Sequence, residues 1–226
     1  MGFNLDGQEP NEIVIGAMSS VRWKAVIKGI STHAGLAPHK GISAGLIASK
    51  ALARIADLGY FGRVEKNGRK GTSNLGTMHG GEANNQVMDR AVLTGECRSH
   101  SPAFLEQIVG IYRKSFEWAA RSVTNEAGQS GSADFSAVSD YRAFRLKKTE
   151  PCVRIASKAV ECLGLTPNPL VMDAGLDANN FNEKGLPTVT LGTGSHHFHQ
   201  VDEYVDIEEY LSTCEVLLNI AQLVLQ

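Results

Sequence analysis

The order of strand-like and helix-like patterns between residues 21 and 141 limits the possible folds more than any other feature of the sequence. Apolar and charged residues alternate over 21–30, as in a strand with one solvated face. The later patterns, in chain order, are a helix over 41–58, strands over 71–79 and 91–99, a helix over 102–125 and a strand over 135–141. The order β-α-β-β-α-β predicts a ferredoxin-like α+β domain, an open sheet with its helices on one face.

The second helix of this domain has the clearest amphipathic pattern. Ser101 and Pro102 form a typical helix start, with a capping hydroxyl followed by proline in the first turn. The spacing predicts that five apolar side chains point into the core: Phe104, Ile108, Ile111, Phe116 and Trp118.

After residue 141 the pattern changes to helices that alternate with short apolar strands. The strands are predicted over 168–172 and 187–191, both buried on two faces, and the helices over 150–163, 177–184 and 206–225. Such alternation indicates an α/β sheet, but two strands are only a corner of one. We therefore expect further chain to cover the open edge of this sheet.

Composition excludes several classes of protein. The 226 residues are 42% hydrophobic with a net charge of -2, which is typical of a soluble globular protein and offers no basic surface for nucleic acid. The apolar runs are too short to cross a membrane and the N-terminus has no signal segment, so we expect a cytoplasmic protein. The cysteines have no metal-binding spacing and are interpreted as reduced, mostly buried thiols: Cys97, Cys152, Cys162 and Cys214.

A cluster of histidines and acids follows the last short strand. The segment 195–203 contains His196, His197 and His199, with Asp202 and Glu203 close behind. Imidazoles beside carboxylates are ligands that zinc prefers, and His199 is the best candidate because it lies in a loop after a buried strand. The alternative is a solvated loop histidine or an imidazole that caps a nearby carbonyl. His196 and His197 are interpreted as supporting or surface residues.

Five other residues carry functional chemistry, but each has an ordinary structural explanation on local grounds. Asp6 lies in a Leu-Asp-Gly turn, and His33 and Asn85 also lie in turns. Arg98 is a charge on a strand, and Asp177 is placed to cap the helix that follows it.

Taken together, these segments resemble a known family. The motifs are Leu5-Asp6-Gly7, Gly29 to Gly35, Gly80-Gly81 with Asn85 and Arg98, Gly175 to Ala178, Gly185 to Thr188 and Gly192 to Glu203. Their order and spacing are similar to those of the di-zinc metallopeptidases typified by peptidase T, aminoacylase and glutamate carboxypeptidase. The peptidase T-like branch is the most similar, and the resemblance covers essentially the whole chain.

The resemblance implies an organisation and a site. A ferredoxin-like lid, which pairs between subunits in a homodimer, would cover 16–130, and 1–15 with 131–226 would form the C-terminal portion of an α/β zinc-peptidase catalytic domain. Two zinc ions, or cobalt or manganese, would take Asp6 and His199 as ligands. The implied catalytic residue is His33, which would stabilise the oxyanion and could reach the partner subunit's site. The implied substrate-binding residues are Asn85, Arg98 and, in a substrate-side loop, Asp177.

The family's other metal ligands are absent from this sequence. In the family, a His-x-Asp motif, a bridging Asp and a Glu-Glu pair that includes the general base all precede the lid. The first of the family's ligand positions that this sequence contains is Asp6. Two ligands cannot hold two zinc ions. We therefore expect the C-terminal part of a peptidase that hydrolyses di- and tripeptides or N-acyl amino acids, truncated, cleaved or encoded separately, and inactive alone. The alternative is a non-catalytic module for dimerisation or peptide binding.

Overall fold

The computed structural model describes residues 1–225, which form two compact units. The inserted unit is Ser19–Asp140, and the flanking unit is Met1–Met18 with the chain from Tyr141 onward. The sequence interpretation placed the second boundary after residue 130. The structure has it after Asp140 because the strand over Ser132–Tyr141 joins the sheet of the inserted unit.

The strands, in chain order, are β1 (Gly2–Gly7), β2 (Glu12–Ala17), β3 (Ser19–Lys28), β4 (Gly62–Lys66), β5 (Arg69–Gly80), β6 (Arg90–Ser99), β7 (Ser132–Tyr141), β8 (Phe144–Arg145), β9 (Asn168–Met172), β10 (Thr188–Gly192), β11 (Ser195–His196) and β12 (Tyr204–Val205). The helices are α1 (Ala44–Asp57), α2 (Pro102–Ser122), α3 (Pro151–Cys162), α4 (Asp177–Glu183) and α5 (Ile207–Val224).

The inserted unit has the predicted ferredoxin-like plan with one additional strand. Its sheet has the order β4-β5-β6-β3-β7, and α1 and α2 pack against it. The sequence interpretation missed β4, which is short and mostly polar. Its signal is the turn Asn67-Gly68, where both residues have positive φ, as a two-residue hairpin requires.

An aromatic cluster forms the centre of this unit. Trp23 of β3 is 2% exposed, and its ring lies 5.1 Å from that of Tyr112 and 6.0 Å from that of Phe135. The prediction that Trp118 points inward is wrong, since that side chain is 40% exposed beneath the guanidinium of Arg54. Two residues turn a helix by about 200°, so Trp118 cannot share the face of the buried Phe116.

Burial also raises the pKa of two ionisable groups in this core. Desolvation raises the pKa of the Cys97 thiol from 9.0 to about 12 and that of the Tyr112 phenol from 10.0 to about 12. The folded chain therefore keeps protons that the unfolded chain releases above about pH 9.

We expect the free energy of unfolding to fall as the pH rises from 8 to 10, and to fall less in Cys97→Ala. Since the thiol of the unfolded chain ionises in this window, the difference should be about 1 kcal/mol. Urea unfolding of both proteins at the two pH values measures it. Equal losses in the two proteins would show that Cys97 is not protected from ionisation in the fold.

The flanking unit has more strands than the sequence predicted. β1 and β10 are parallel, β10 and β2 are antiparallel, and β9 runs parallel to β2, which also pairs with β8. β10 is buried throughout, whereas β9 is half-buried, contrary to the prediction for that strand. Among the described residues β1 pairs with β10 alone, so its other edge is open.

Both faces of this sheet carry helices. α3 and α5 pack on one face through Val153, Val160 and Val216, and α4 contributes Ala178 to a second small cluster with Val14. The four cysteines are unpaired: Cys97 and Cys152 are buried, Cys214 is half-buried and Cys162 is exposed. No helix within residues 1–225 is both long and apolar enough to cross a membrane.

Candidate metal and substrate-binding site

Asp6 lies where two parallel strands end. β1 and β10 run side by side, so their carboxyl ends meet at one edge of the sheet. The pairing is regular up to Leu5 and resumes at Gly7, which leaves Asp6 as the irregular residue between them. Such bulges redirect a side chain and are frequent beside functional sites. The hairpin that contains His199 begins just after β10, on the same edge.

The charges of Asp177 and His199 both influence the Asp6 carboxyl. The pKa of the Asp6 carboxyl is raised above its ordinary value of 3.8, first by desolvation, then by the neighbouring charge of Asp177, and it is lowered in part by His199. The charges of Asp177 and His199 thus act on Asp6, although the three residues do not form a metal-holding group among the described residues. An isolated surface turn, the ordinary explanation for Asp6, would not produce this mutual influence.

The three histidines of the cluster have different partners. The ring of His196 contacts the Glu209 carboxylate at 2.7 Å, and the ring of His197 contacts Asp202 at 2.8 Å. His199 is exposed with a φ of 62°, and its backbone amide donates to Glu203. Its imidazole makes no hydrogen bond within residues 1–225, so it is the histidine available to bind a metal.

Asp177 does not cap its helix, contrary to the prediction from sequence. It is the first residue of α4, and the side-chain oxygen of Asn179 instead accepts from the backbone amide of Leu176 at 2.9 Å. The Asn179 amide donates to the backbone carbonyls of Met18 and Arg142. Asn179 is fully buried, and it fixes the start of α4 so that the Asp177 carboxylate remains exposed.

His33 and Asn85 lie together in the inserted unit. His33 forms a bridge with Gln86, and the amide of Ala34 donates to the Asn85 carbonyl at 2.8 Å. The His33 Nδ1 accepts from the backbone amides of Gly35 and Leu36. Because Nδ1 accepts, the proton of the neutral ring is on Nε2, which is exposed as a hydrogen-bond donor.

Arg98 lies at the other end of the same sheet. It faces Ser20 and Thr72 near the end of β6, whereas the pair of His33 and Asn85 lies beside the start of that strand, which is Arg90. Eight residues of strand span about 27 Å. Within one copy of this unit, Arg98 is therefore not brought together with His33 and Asn85.

Arg98 also lies beside a groove that the sequence interpretation did not identify. Its guanidinium pairs with Glu96 at 2.9 Å, and Glu96 lines a groove of about 720 Å³ on the sheet surface. The side chains of Arg22, Lys24, Asn74 and Thr94 also line it. The only sequence feature that relates to this groove is the alternation of polar residues on β3 and β6, and that alternation predicts a solvated face, not a groove.

The donor set is suitable for a metal but incomplete. A carboxylate and a neutral imidazole, from Asp6 and His199, are both zinc ligands. No group of three or more His, Cys, Asp or Glu residues that could hold a metal ion occurs in the described part of the chain. One open zinc site needs about three protein ligands, so this pair would require donors from additional chain.

Comparison with known proteins agrees with this fold and arrangement. Residues 15–124 match the model of the peptidase dimerisation domain. The chain is 32% identical to the uncharacterized protein YqjE of Bacillus subtilis, over 98% of this chain and 56% of that protein. It is 27% identical to Peptidase T of Shouchella clausii, over 99% of this chain and 52% of that protein.

Solved structures give the same result. The aminopeptidase PepT of Bacillus cereus matches with a TM-score of 0.82 and 33% identity, over 100% of this chain and 57% of that one. A tripeptidase of Staphylococcus aureus matches with a TM-score of 0.86 and 30% identity, over 99% of this chain and 57% of that one. The chain thus spans about half the length of the relatives it matches.

The fold and the matched region show that the chain contains a peptidase dimerisation domain. Over its whole length the chain is peptidase T-like. The resemblance seen in the sequence is confirmed. The roles of the individual site residues remain predictions.

Proposed function

We propose that this chain supplies the dimerising lid and two metal ligands, Asp6 and His199, of a cytoplasmic peptidase that hydrolyses di- and tripeptides. The observation that carries the proposal is the position of Asp6 at the bulged end of β1, beside the end of β10, after which the hairpin with His199 begins. Zinc bound there would lower the pKa of a water molecule and polarise the substrate carbonyl. The four unpaired cysteines support a reducing compartment.

The residues of the chain have separate tasks in such a reaction. The Nε2–H of His33 would donate to the carbonyl oxygen as negative charge develops on it. The Asn85 amide would hold the substrate beside His33, and the Arg98 guanidinium would bind the substrate carboxylate. Hydrolysis forms a bond between water oxygen and carbonyl carbon, breaks the carbon–nitrogen bond and delivers a proton to the leaving amine.

Two features of the flanking unit support the participation of additional chain. β1 has an open edge, which can accept another strand. The apolar side chains of Ile207, Leu211 and Leu218 are 56–70% exposed along one face of α5. Exposed apolar surface of this kind is typical of a contact region. A segment that carries the His-x-Asp and Glu-Glu motifs would have both an edge and a face to pack against.

The separation of Arg98 from His33 and Asn85 supports a site shared between two subunits. One substrate is much shorter than the about 27 Å of strand between the two groups. In a two-fold dimer, however, His33 of one copy would meet the same substrate as Arg98 of its partner. The matched peptidase dimerisation domain agrees with such pairing.

A mixing experiment tests this arrangement, in a polypeptide that carries this chain together with the missing motifs. We expect His33→Ala and Arg98→Ala each to be nearly inactive, and a refolded equimolar mixture to recover about a quarter of the wild-type rate. Half of the random dimers would be mixed, and each mixed dimer would have one intact site. A mixture as inactive as its components would show that both residues serve one subunit's own site.

The second candidate function is a non-catalytic module that dimerises or binds peptides. Two observations favour it. The chain matches a dimerisation domain, and its described residues contain too few metal donors to complete one zinc site. Coding sequence for the His-x-Asp and Glu-Glu motifs, directly upstream or in a separate gene, would favour the peptidase. Stable peptide binding without cleavage by the complete assembly would favour the module.

A further inference from the structure

His199 lies near the tip of a hairpin that connects β10 to α5. The hairpin is closed by pairing of β11 with β12, in which Ser195 faces Val205 and His196 faces Tyr204. Both His197 and His199 have positive φ. Residues other than glycine keep this backbone conformation only when the surrounding structure holds it. The contacts at the base of the hairpin therefore determine where His199 is presented.

One contact at this base is better shielded from water than the others. His196 Nε2 lies 2.7 Å from the Glu209 carboxylate, with the two side chains 21% and 34% exposed. An ionised carboxylate only accepts, so Nε2 donates the proton. The His196 ring also stacks on Tyr204 at 5.1 Å. The corresponding pair of His197 and Asp202 is 51% and 62% exposed, where water competes for the same groups.

Glu209 is itself held on a rigid element. It lies in the first turn of α5, where the Asp206 side chain accepts from the backbone amides of Glu208 and Glu209. A carboxylate near a helix N-terminus is stabilised by the helix dipole. The hairpin is thus attached to a capped helix through this imidazole–carboxylate contact and, at its base, through the backbone amide of Asp206, which donates to the Gly194 carbonyl at 2.7 Å.

The first residues of the hairpin are attached to the segment that follows Asp6. The amide and hydroxyl of Thr193 both donate to the Gly7 carbonyl, and the Gly194 amide donates to the Gln8 carbonyl at 2.7 Å. Gly194 has a φ of 69°, and a side chain there would meet the Glu209 Cβ at 2.9 Å. The base of the hairpin therefore lies close between α5 and the end of β1.

We propose that the contact between His196 and Glu209 is a positioning pair that holds His199 toward Asp6 for metal binding. The inference rests on the proposed role of His199 as a ligand, but concerns residues that do not touch the metal themselves. Carboxylates and imidazoles that orient a ligand in this way alter metal affinity by about 10- to 100-fold when they are removed. Without the pair, the hairpin tip would lose its fixed direction while α5 remains folded.

The test compares Glu209→Ala with Glu208→Ala in a ¹⁵N- and ¹³C-labelled polypeptide that carries this chain together with the missing motifs. Glu208 is the matched control because it lies in the same helical turn and is exposed. The first measurement is ¹⁵N backbone relaxation of residues 197–203 without metal. The second is a titration with zinc chloride, followed by the ring resonances of His199. Thermal unfolding of each variant shows whether the flanking unit remains folded.

In Glu209→Ala we expect greater mobility of residues 197–203 and a zinc affinity at His199 reduced about 10-fold or more, with an unchanged unfolding temperature. Glu208→Ala should match the wild type in both measurements. Unchanged mobility and affinity in Glu209→Ala would overturn the positioning role while leaving His199 a ligand. A wild-type His199 ring that does not respond to zinc would instead refute the proposed function, and the positioning role with it.

Discussion

His199→Ala should abolish the peptidase activity of the assembled enzyme. Removing the imidazole removes a direct metal ligand, so we expect a loss in kcat/KM larger than the about 10- to 100-fold that follows loss of an orienting partner. The assay is hydrolysis of di- and tripeptides with added zinc, using a polypeptide that includes the His-x-Asp and Glu-Glu motifs. Bound zinc is counted in the same samples.

His197→Ala is the matched control for this substitution. His197 lies two residues away, in the same hairpin, and its ring is already engaged with Asp202. We expect that variant to keep most of its activity and its zinc. If His199→Ala retained both, or if His197→Ala lost both, the assignment of the ligand within the cluster would be wrong.

Trp23→Ala should unfold the inserted unit under mild conditions. Trp23 is nearly fully buried, and its ring contacts those of Tyr112, Phe116 and Phe135. Truncation of a buried tryptophan costs about 3–5 kcal/mol, which is comparable with the whole stability of many domains. We expect loss of the dimer together with loss of the fold, because the matched dimerisation domain includes this core.

Trp118→Ala provides the same substitution at the surface. Trp118 is 40% exposed and stacks beneath the side chains of Lys50 and Arg54. Loss of such cation–π contacts costs about 1 kcal/mol or less. The chain has 2 tryptophans, so each variant leaves one fluorescent reporter for urea unfolding. Equal destabilisation by both substitutions would contradict the packing described for the core.

The sequence was most informative where periodicity is strong. The ferredoxin-like order of the inserted unit followed from apolar spacing, because one face of each element meets the same core. β4 was missed because its residues are mostly polar, and only the Asn67-Gly68 turn indicates the hairpin. Likewise β1 and β2 were not identified as strands, since their pairing with β10 joins residues that are far apart in sequence.

For the site too, the sequence identified individual residues but not the contacts between residues that are far apart in the chain. Sequence motifs named Asp6, Asp177 and His199, but the influence of Asp177 and His199 on the Asp6 pKa depends on how β1, α4 and the hairpin are placed by the sheet. The capping role predicted for Asp177 belongs to Asn179, because the buried amide reaches two backbone carbonyls that are distant in the chain. Spacing alone could not reveal those partners.

The partnership of His196 with Glu209 was equally hidden in the sequence. A histidine in a loop and a glutamate in a helix have no pattern that joins them, and only the hairpin places them in contact. In the sequence interpretation His196 was a supporting or surface residue. Its half-buried ring contacts the Glu209 carboxylate, so the support that it provides is an attachment of the hairpin to α5.

Zinc retention by this chain alone tests the incomplete metal site most directly. The purified protein would be incubated with excess zinc, passed through a desalting column and analysed for metal per chain. With Asp6 and His199 as its only donors, we predict far less than one retained zinc ion per chain, because tight sites need about three protein ligands. Retention of one or more zinc ions per chain, lost in His199→Ala, would show that the chain completes the site by itself and would contradict this account.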